Sequence, residues 1–256
     1  MIVCKSASEI ERMRAANMLV ADVLAELAAM VAPGVTTAEL DATAEKLVRT
    51  AGAEPAFKGY RGYPATLCAS INDEVVHGIP AERKLLEGDI ISLDMGVKLK
   101  GFYGDCAVTV PVGQVSIEAL RLLRVTQEAL DKGIAQARLG GRISDIGHAI
   151  QRHVEANGFS VVREFVGHGI GAALHEEPQI ANYGDPGRGP RLAEGMVLAI
   201  EPMVNMGRPA VKVLPDGWTA VTRDGSLSAH FEHTVAVTKK GPLVLTQRTP
   251  APTPAR

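Results

Sequence analysis

Two aspartates, Asp94 and Asp105, lie in a stretch, residues 90–110, where apolar and polar residues alternate. The alternation predicts a β-hairpin with one buried face and a turn at residues 98–101. Both aspartates fall on the other face, roughly opposite each other. Like charges that face each other across a strand pair repel, and partial burial increases the penalty. The pair must therefore be neutralised by protonation, by a nearby Arg or Lys, or by a divalent cation.

Two glutamates repeat this arrangement later in the chain. Residues 86–97 align without gaps on residues 193–204, which sets Asp94 against Glu201. Residues 105–110 align on residues 232–237, which sets Asp105 against Glu232. A chance match between short apolar strands is the alternative. If the repeat is genuine, two halves related by a pseudo-twofold axis bring four carboxylates together.

Four converging carboxylates require cations. A charge of about −4 in a partly dry pocket is too costly without compensation, and two divalent ions balance it. Carboxylates combined with a neutral imidazole favour Mn, Fe, Co, Ni or Zn over Mg or Ca. Two such ions ~3.5–4 Å apart can share a water and lower its pKa towards ~7. This interpretation predicts hydrolytic chemistry.

Three of the seven histidines, His77, His168 and His175, lie beside the acidic repeat. His168 is flanked by glycines, which let the backbone approach a metal, and it is the predicted nitrogen ligand. His77 and His175 each begin a His-x-x-Pro segment. We expect them to flank the pocket and to donate hydrogen bonds to substrate or to a developing oxyanion. A structural imidazole is the alternative for any single histidine, and it is the interpretation for the remaining four: His148, His153, His230 and His233.

Other chemistries are excluded. The glycines around His168 lack the third glycine of a dinucleotide loop, and no Walker lysine follows. No Gly-x-Ser-x-Gly motif occurs, and neither Cys68 nor Cys106 has the context of a nucleophile. Three cysteines without CxxC spacing indicate reduced thiols and no thiolate zinc cage. A net charge of −2 predicts no general attraction to nucleic acid.

The elements that position these residues repeat as well. Capping boxes and glycine-containing ends predict helices over about residues 7–32, 37–51, 116–139 and 142–157. Each half therefore holds two helices followed by strands, in an α+β fold. We expect one domain, residues 1–246, with halves of about 1–111 and 112–246, and a Pro-rich disordered tail at 247–256. A charged amino terminus and no apolar membrane span predict a cytoplasmic protein.

Together these motifs resemble the methionine aminopeptidases, within the wider creatinase-like group that has the pita-bread fold. The similarity covers about residues 5–246. Because the chain has no long insertions and no zinc-finger extension, it resembles the short bacterial type I form. The resemblance implies two pseudo-twofold-related halves that form one curved sheet with helices on its outer face. It is carried by Asp94, Asp105, Gly167-His168-Gly169-Ile170-Gly171, His175-Glu176-Glu177-Pro178, Ile200-Glu201-Pro202-Met203 and Glu232-His233-Thr234.

The resemblance also implies roles for these residues. Two divalent metals are bound, with Asp105 and Glu232 as bridging ligands. Glu201 helps to activate the bridging water, and His77 and His175 contact the scissile peptide and steady the tetrahedral intermediate. The reaction that the resemblance implies is removal of the initiator Met from nascent proteins and peptides with a small second residue. The full implied ligand set is Asp94, Asp105, His168, Glu201 and Glu232.

The resemblance assigns a further group of residues to the pocket for the methionine side chain. Aromatic edges and a soft sulfur environment favour a thioether, although ordinary core packing is the alternative for each residue. Family members often carry Cys where this chain has Phe57, and Phe where it has Leu174, so the pocket shape differs from the family pattern. The predicted substrate-binding residues, besides His77 and His175, are Phe57, Tyr60, Tyr63, Cys68, Leu174, Met203 and Trp218.

Two other functions stay open on the sequence. A proline-directed peptidase of the same fold uses a similar ligand set, although such chains usually carry a large amino-terminal domain. A binding protein that has lost catalysis is the second, and the filled ligand positions argue against it. The expected partner is the N-terminal Met of nascent polypeptides, met at the ribosome, with the protein acting as a monomer without membrane attachment.

Overall fold

Each half of the chain begins with two helices, as the capping signals predict. The computed structural model describes residues 1–248, so the predicted tail at 247–256 lies outside the described residues apart from its first two positions. Capping boxes at Ser6 and Thr36 start the first two helices. No helix in the described part of the chain combines the length and apolar character needed to cross a membrane. The helices are α1 (Ala7–Met30), α2 (Thr37–Thr50), α3 (Ile117–Gln136) and α4 (Ile143–Ala156).

The described residues contain fifteen strands, five between α2 and α3 and ten after α4. In the first half they are β1 (Glu54–Pro55), β2 (Cys68–Ile71), β3 (Glu74–Val76), β4 (Ile90–Leu99) and β5 (Phe102–Pro111). In the second half they are β6 (Ser160–Val161), β7 (Gly167–Gly169), β8 (Glu176–Ile180), β9 (Val197–Ile200), β10 (Met203–Asn205), β11 (Val211–Val213), β12 (Ala220–Thr222), β13 (Ser228–His230), β14 (Glu232–Thr238) and β15 (Gly241–Val244).

One antiparallel sheet joins the two halves. Its strand order is β1-β4-β5-β14-β9-β7-β8, with β2 paired to β4 and β15 paired to β14. The hairpin β4-β5 of the first half meets β14 of the second at the centre. Two small sheets, β13-β10-β6 and β11-β12-β3, complete the strands. The predicted α+β architecture with a curved sheet is confirmed.

All four helices cover the same side of this sheet. Leu93 and Met95 of β4 pack with α1 and α2, whereas Leu198 and Val235 pack with α3 and α4. Where α1 crosses β5, a Cβ atom on Gly104 would lie 2.8 Å from the helix backbone, so only glycine permits this approach. The apolar face of the sheet therefore faces the helices, and the opposite face is left for the acidic residues.

The central hairpin differs from its prediction in two respects. Its register places Asp94 opposite Ala107, and Asp105 opposite Gly96. The predicted Asp94–Asp105 pairing is wrong by two residues, because the turn consists of Lys100 and Gly101 alone, both with positive φ. The predicted single buried face is also wrong. The carboxylate face is covered by β13. The Thr109 side chain of β5 holds this strand by hydrogen bonds with the backbone of His230.

The segment before α1 is fixed by a buried ion pair. The Lys5 ammonium donates to the Glu176 carboxylate, and the two side chains are only 4% and 14% exposed. Lys5 also donates to the Val3 carbonyl through its side chain and to the Gly195 carbonyl through its backbone. Glu176 directly follows His175, so the amino-terminal segment holds the chain that carries this predicted site residue.

Replacing Lys5 tests the importance of this contact. Lys5→Met should lower the free energy of unfolding by about 3–5 kcal/mol, because it leaves the Glu176 carboxylate buried and unpaired. Denaturant unfolding measures the change. A matched control is Lys239→Met, whose ion pair with Glu194 is solvent-exposed and should contribute less than about 1 kcal/mol. The double variant Lys5→Met/Glu176→Gln should regain much of the loss, and equal effects of Lys5→Met and Lys239→Met would contradict the interpretation.

Candidate metal centre and adjoining pocket

Three of the predicted acidic residues surround the junction of the two halves. The pairing of β4, β5 and β14 places Ala107 between Asp94 on one side and Glu232 on the other. Asp105 is two residues before Ala107 and therefore lies on the same face of the sheet. The three carboxylates are at most 9% exposed. Because Ala107 is small, the space between their side chains stays open.

The second half adds Glu201 and His168. Glu201 directly follows β9, and His168 is the central residue of β7, which pairs with β9. The His168 Nε2 atom lies 3.5 Å from Glu201 Oε1 and 3.8 Å from Asp105 Oδ2. Asp105, His168 and Glu232 each offer a ligand atom, and these atoms lie within 4.8 Å of one another. All five predicted ligands thus face one space.

Three carboxylates of this group each have one oxygen without a protein partner in the described residues. Asp94 Oδ1, Asp105 Oδ1 and Glu232 Oε1 are buried, and none has a hydrogen-bond partner within the described residues. Burial raises the pKa of Asp94 to about 7 and that of Glu201 to about 8. Burial, reinforced by the neighbouring carboxylates, also raises the pKa values of Asp105 and Glu232 well above their usual range. Divalent cations would satisfy these oxygens and favour the charged carboxylates, so the donor set fits metal ions.

The histidine of the cluster suits the same role. His168 Nδ1 lies 2.9 Å from the Gly169 carbonyl oxygen, to which it donates in the tautomer that leaves Nε2 unprotonated. Burial lowers the pKa of His168 to about 4, so the ring is neutral at physiological pH. A neutral imidazole whose other nitrogen is held by a carbonyl is a common metal ligand.

A cavity of about 160 Å³ opens beside the carboxylates. One side is bounded by His175, whose ring is stacked on Tyr60 and whose Nδ1 atom is 2.9 Å from the Tyr60 hydroxyl. The other side is bounded by His77, which meets Phe165 and Trp218 edge-on. Burial lowers the pKa of His77 to about 4 and also lowers that of His175. Both rings are therefore neutral, with N–H groups available to donate.

The far end of the cavity is largely apolar. The Tyr63 ring meets Trp218 edge-on at 5.1 Å, and its hydroxyl lies 3.0 Å from the Leu67 and Gly78 carbonyl oxygens. Cys68 pairs with Asp94 across β2 and β4, and burial raises the pKa of its thiol, which keeps it neutral. Six of the seven additional predicted substrate-binding residues line the cavity: Phe57, Tyr60, Tyr63, Cys68, Leu174 and Trp218.

Met203 is the exception among the predicted pocket residues. Its side chain is fully buried in a separate core cluster with Val75, Val162 and Ala220, and it does not line the cavity. The cavity lining therefore gives no support to the assignment of Met203 to the substrate pocket, which stays a prediction from the sequence.

Sequence reasoning missed two residues near the site. His230, interpreted as structural, lies with its Nε2 atom 3.6 Å from Glu201 Oε2, and neither ring nitrogen has a partner in the described residues. His230 lies two residues before Glu232 in the sequence, and this spacing was a usable signal that the two side chains are near each other. Arg61 lines the mouth of the cavity, and its position between the two pocket tyrosines, Tyr60 and Tyr63, was the corresponding signal.

Known proteins share both sequence and structure with this chain. The model of metallopeptidase family M24 matches residues 11–239. A methionine aminopeptidase from Clostridium perfringens is 54% identical over 246 residues, which is 96% of this chain and 99% of that protein. The crystal structure of the methionine aminopeptidase from Thermotoga maritima superposes with a TM-score of 0.95 at 48% identity, covering 97% of this chain and all of that one.

The proline-directed alternative has weaker support. A prolidase from Pyrococcus horikoshii superposes with a TM-score of 0.78 but is only 22% identical, covering 97% of this chain and 65% of the prolidase. This similarity shows a shared fold and no more. The near full-length matches at about half identity are all to methionine aminopeptidases among the relatives compared. The chain belongs to metallopeptidase family M24 and, within it, to the methionine aminopeptidases.

Proposed function

We propose that this protein hydrolytically removes the N-terminal methionine from peptides and nascent polypeptides whose second residue is small. The observation that carries the proposal is the cluster of Asp94, Asp105, His168, Glu201 and Glu232 at the edge of a cavity with an apolar end. The carboxylates and the imidazole are ligands suited to metal-dependent hydrolysis, and the apolar end is suited to bind one side chain. Family membership supports the same activity.

Two divalent ions are the proposed cofactors, and Asp94, Asp105, His168, Glu201 and Glu232 would hold them. Two ions balance four carboxylates, and the mixture of oxygen donors with one imidazole favours Mn, Fe, Co, Ni or Zn. When bound, the ions supply Lewis acidity and lower the pKa of a coordinated water. Asp94 is the proposed partner of the substrate amino group, since it pairs across the strands with Cys68 and both residues line the cavity.

Glu201 is the proposed proton acceptor. Its carboxylate lines the cavity between His168 and His230, where it can take up a proton from an attacking water. His77 and His175 are proposed to donate hydrogen bonds to the scissile carbonyl oxygen and the peptide group, because both are neutral and stand on either side of the cavity. Such donors stabilise the oxyanion that develops during attack.

The methionine side chain is proposed to occupy the apolar end of the cavity. Tyr63 and Trp218 offer aromatic edges, and the neutral Cys68 thiol offers a polarizable contact for a thioether. His77 and His175 with their aromatic neighbours narrow the space beyond the carboxylates, which favours a small second residue. We also propose that the protein acts as a cytoplasmic monomer that meets nascent chains at the ribosome, without recognising nucleic acid sequence.

Peptide hydrolysis tests the proposal directly. After loading with Mn²⁺ or Co²⁺, the protein should release Met from a Met-Ala-Ser peptide and should not cleave an Xaa-Pro dipeptide whose first residue is not methionine, because the apolar end of the cavity selects the first side chain. Liquid chromatography of the products measures both reactions. Cleavage of the Xaa-Pro substrate alone would favour the proline-directed alternative. If the protein held no metal and showed no activity after loading, the alternative of a non-catalytic binding protein would be favoured.

The role of Glu201 is tested by an isosteric substitution. Glu201→Gln should lower kcat by at least about 10²-fold, since it removes the proton acceptor and one metal ligand, while far-UV circular dichroism should be unchanged. Steady-state release of Met measures the effect. Glu194→Gln is the matched control, because it makes the same chemical change seven positions earlier at an exposed glutamate. Activity of Glu201→Gln close to that of the Glu194 variant would contradict the assignment.

The carboxylate cluster predicts a pH dependence of stability in the metal-free protein. Asp94 and Glu201 have folded-state pKa values of about 7 and about 8, above the value of ~4 for an unfolded carboxyl group. The folded state therefore binds more protons, and the free energy of unfolding should fall as pH rises from about 6.5 to about 8.5. The buried histidines, whose folded-state pKa values are lowered, affect the free energy of unfolding mainly below about pH 6.5. In that range the unfolded state takes up protons that the folded state does not.

Chemical denaturation in a chelator at these two pH values measures this effect. Addition of Mn²⁺ at the higher pH should restore stability, because the ions bind the charged carboxylates of the folded state only. Asp105→Asn should reduce both the pH effect and the response to Mn²⁺. Equal stability of the metal-free protein at both pH values would show that the carboxylates are not forced together.

A further inference from the structure

Arg61 is held at the mouth of the cavity by a tight turn. Residues 59–63 fold back so that the Gly59 N–H donates to the Tyr63 carbonyl oxygen at 2.8 Å, and the Tyr63 N–H donates to the Tyr60 carbonyl oxygen at 3.0 Å. Arg61 lies in this turn with φ of +50°, a conformation that arginine rarely adopts. The same turn places Tyr60 and Tyr63 in the cavity wall. The arginine is therefore positioned together with the pocket residues.

The guanidinium group of Arg61 has no ionic partner within residues 1–248. None of the carboxylates in that range lies within 4.0 Å of it. Its cation–π contact is with the Tyr60 ring, whose centroid is 5.4 Å from Cζ. Arginine pairs with carboxylates through two parallel hydrogen bonds and keeps its charge at all physiological pH values. An unpaired guanidinium at a cavity mouth is thus available to a ligand.

A continuous wall of rings connects Arg61 to the metal centre. The guanidinium lies over Tyr60, the Tyr60 and His175 rings are stacked at 5.2 Å, and the His175 and His168 rings are 4.2 Å apart. From the His175 ring to the guanidinium, the two steps of 5.2 Å and 5.4 Å span at most about three extended residues, which advance about 3.3–3.6 Å each. With the scissile bond beside His168 and His175, the third or fourth residue of a peptide leaving the cavity passes Arg61.

The charge of the cavity makes this position selective. Arg61 is the one Lys or Arg that lines the cavity in the described residues, and the acidic lining residues are those that hold the proposed ions. Resting on the proposed function, we propose that Arg61 binds a substrate carboxylate downstream of the scissile bond. This carboxylate is either an acidic side chain at the third or fourth position or the C-terminal carboxylate of a short peptide.

Matched peptide pairs test the inference with the metal-loaded full-length protein. The first pairs carry a C-terminal amide and differ only in Glu against Gln, at the third position or at the fourth. A further pair is Met-Ala-Ser as the free acid and as the amide. The wild-type protein should show kcat/KM about two- to fivefold higher for the charged member of at least one pair, as expected of an exposed ion pair. Raising the salt concentration should reduce this ratio.

The readout in each variant is the ratio between paired peptides, so a general loss of activity does not affect it. Arg61→Gln should bring the ratio to about one, Arg61→Lys should retain part of it, and Arg138→Gln, which changes an exposed arginine away from the cavity, should leave it unchanged. Which pair responds identifies the source of the carboxylate. A wild-type ratio of one, or a ratio that persists in Arg61→Gln, would overturn the proposal. No release of Met from any peptide would instead refute the proposed function.

Discussion

The structure depends on the burial of four carboxylates at the junction between two similar halves. Ala107 stands between Asp94 and Glu232 on adjacent strands, Asp105 lies on the same face, and Glu201 enters from the strand beyond. In the absence of cations these groups repel one another and lose hydration, so their pKa values rise. Neither half contains all of these side chains. The pairing of β5 with β14 therefore creates the chemistry as well as the continuous sheet.

The two faces of the central sheet perform separate tasks. One face packs against four helices in two apolar clusters, one for each half. This burial stabilises the strands and allows the other face to hold groups that do not stabilise the fold. Small residues at Gly104 and Ala107 serve both requirements, since the first admits α1 close to β5 and the second leaves space between the carboxylates. Stability and reactivity are thus supplied by opposite sides of the same strands.

The cavity is built by short, irregular segments that the sheet supports. The turn at residues 59–63 brings Tyr60, Arg61 and Tyr63 to one side, and Lys5 pairs with Glu176 to fix the segment that carries His175. Neutral histidines, neutral cysteine and aromatic edges dominate the space beyond the carboxylates. Arg61 is the exception at the mouth. A peptide bound in this cavity would pass from an apolar end, across the metal centre, to a single positive charge.

The sequence by itself determined the helices, the duplicated order of elements and the acidic and histidine residues of the centre, because caps, periodicity and local motifs act over a few residues. The convergence of Asp94, Asp105, Glu201 and Glu232 was predictable because the repeat implies a symmetric pairing, and the glycines that flank His168 indicated the histidine. Tertiary structure alone decided the hairpin register, which depends on the length of its turn. It also decided the placement of His230 against Glu201 and of Arg61 at the mouth. These positions follow from contacts between segments that are distant in the chain, and the local signals near Glu232 and between Tyr60 and Tyr63 do not fix them alone.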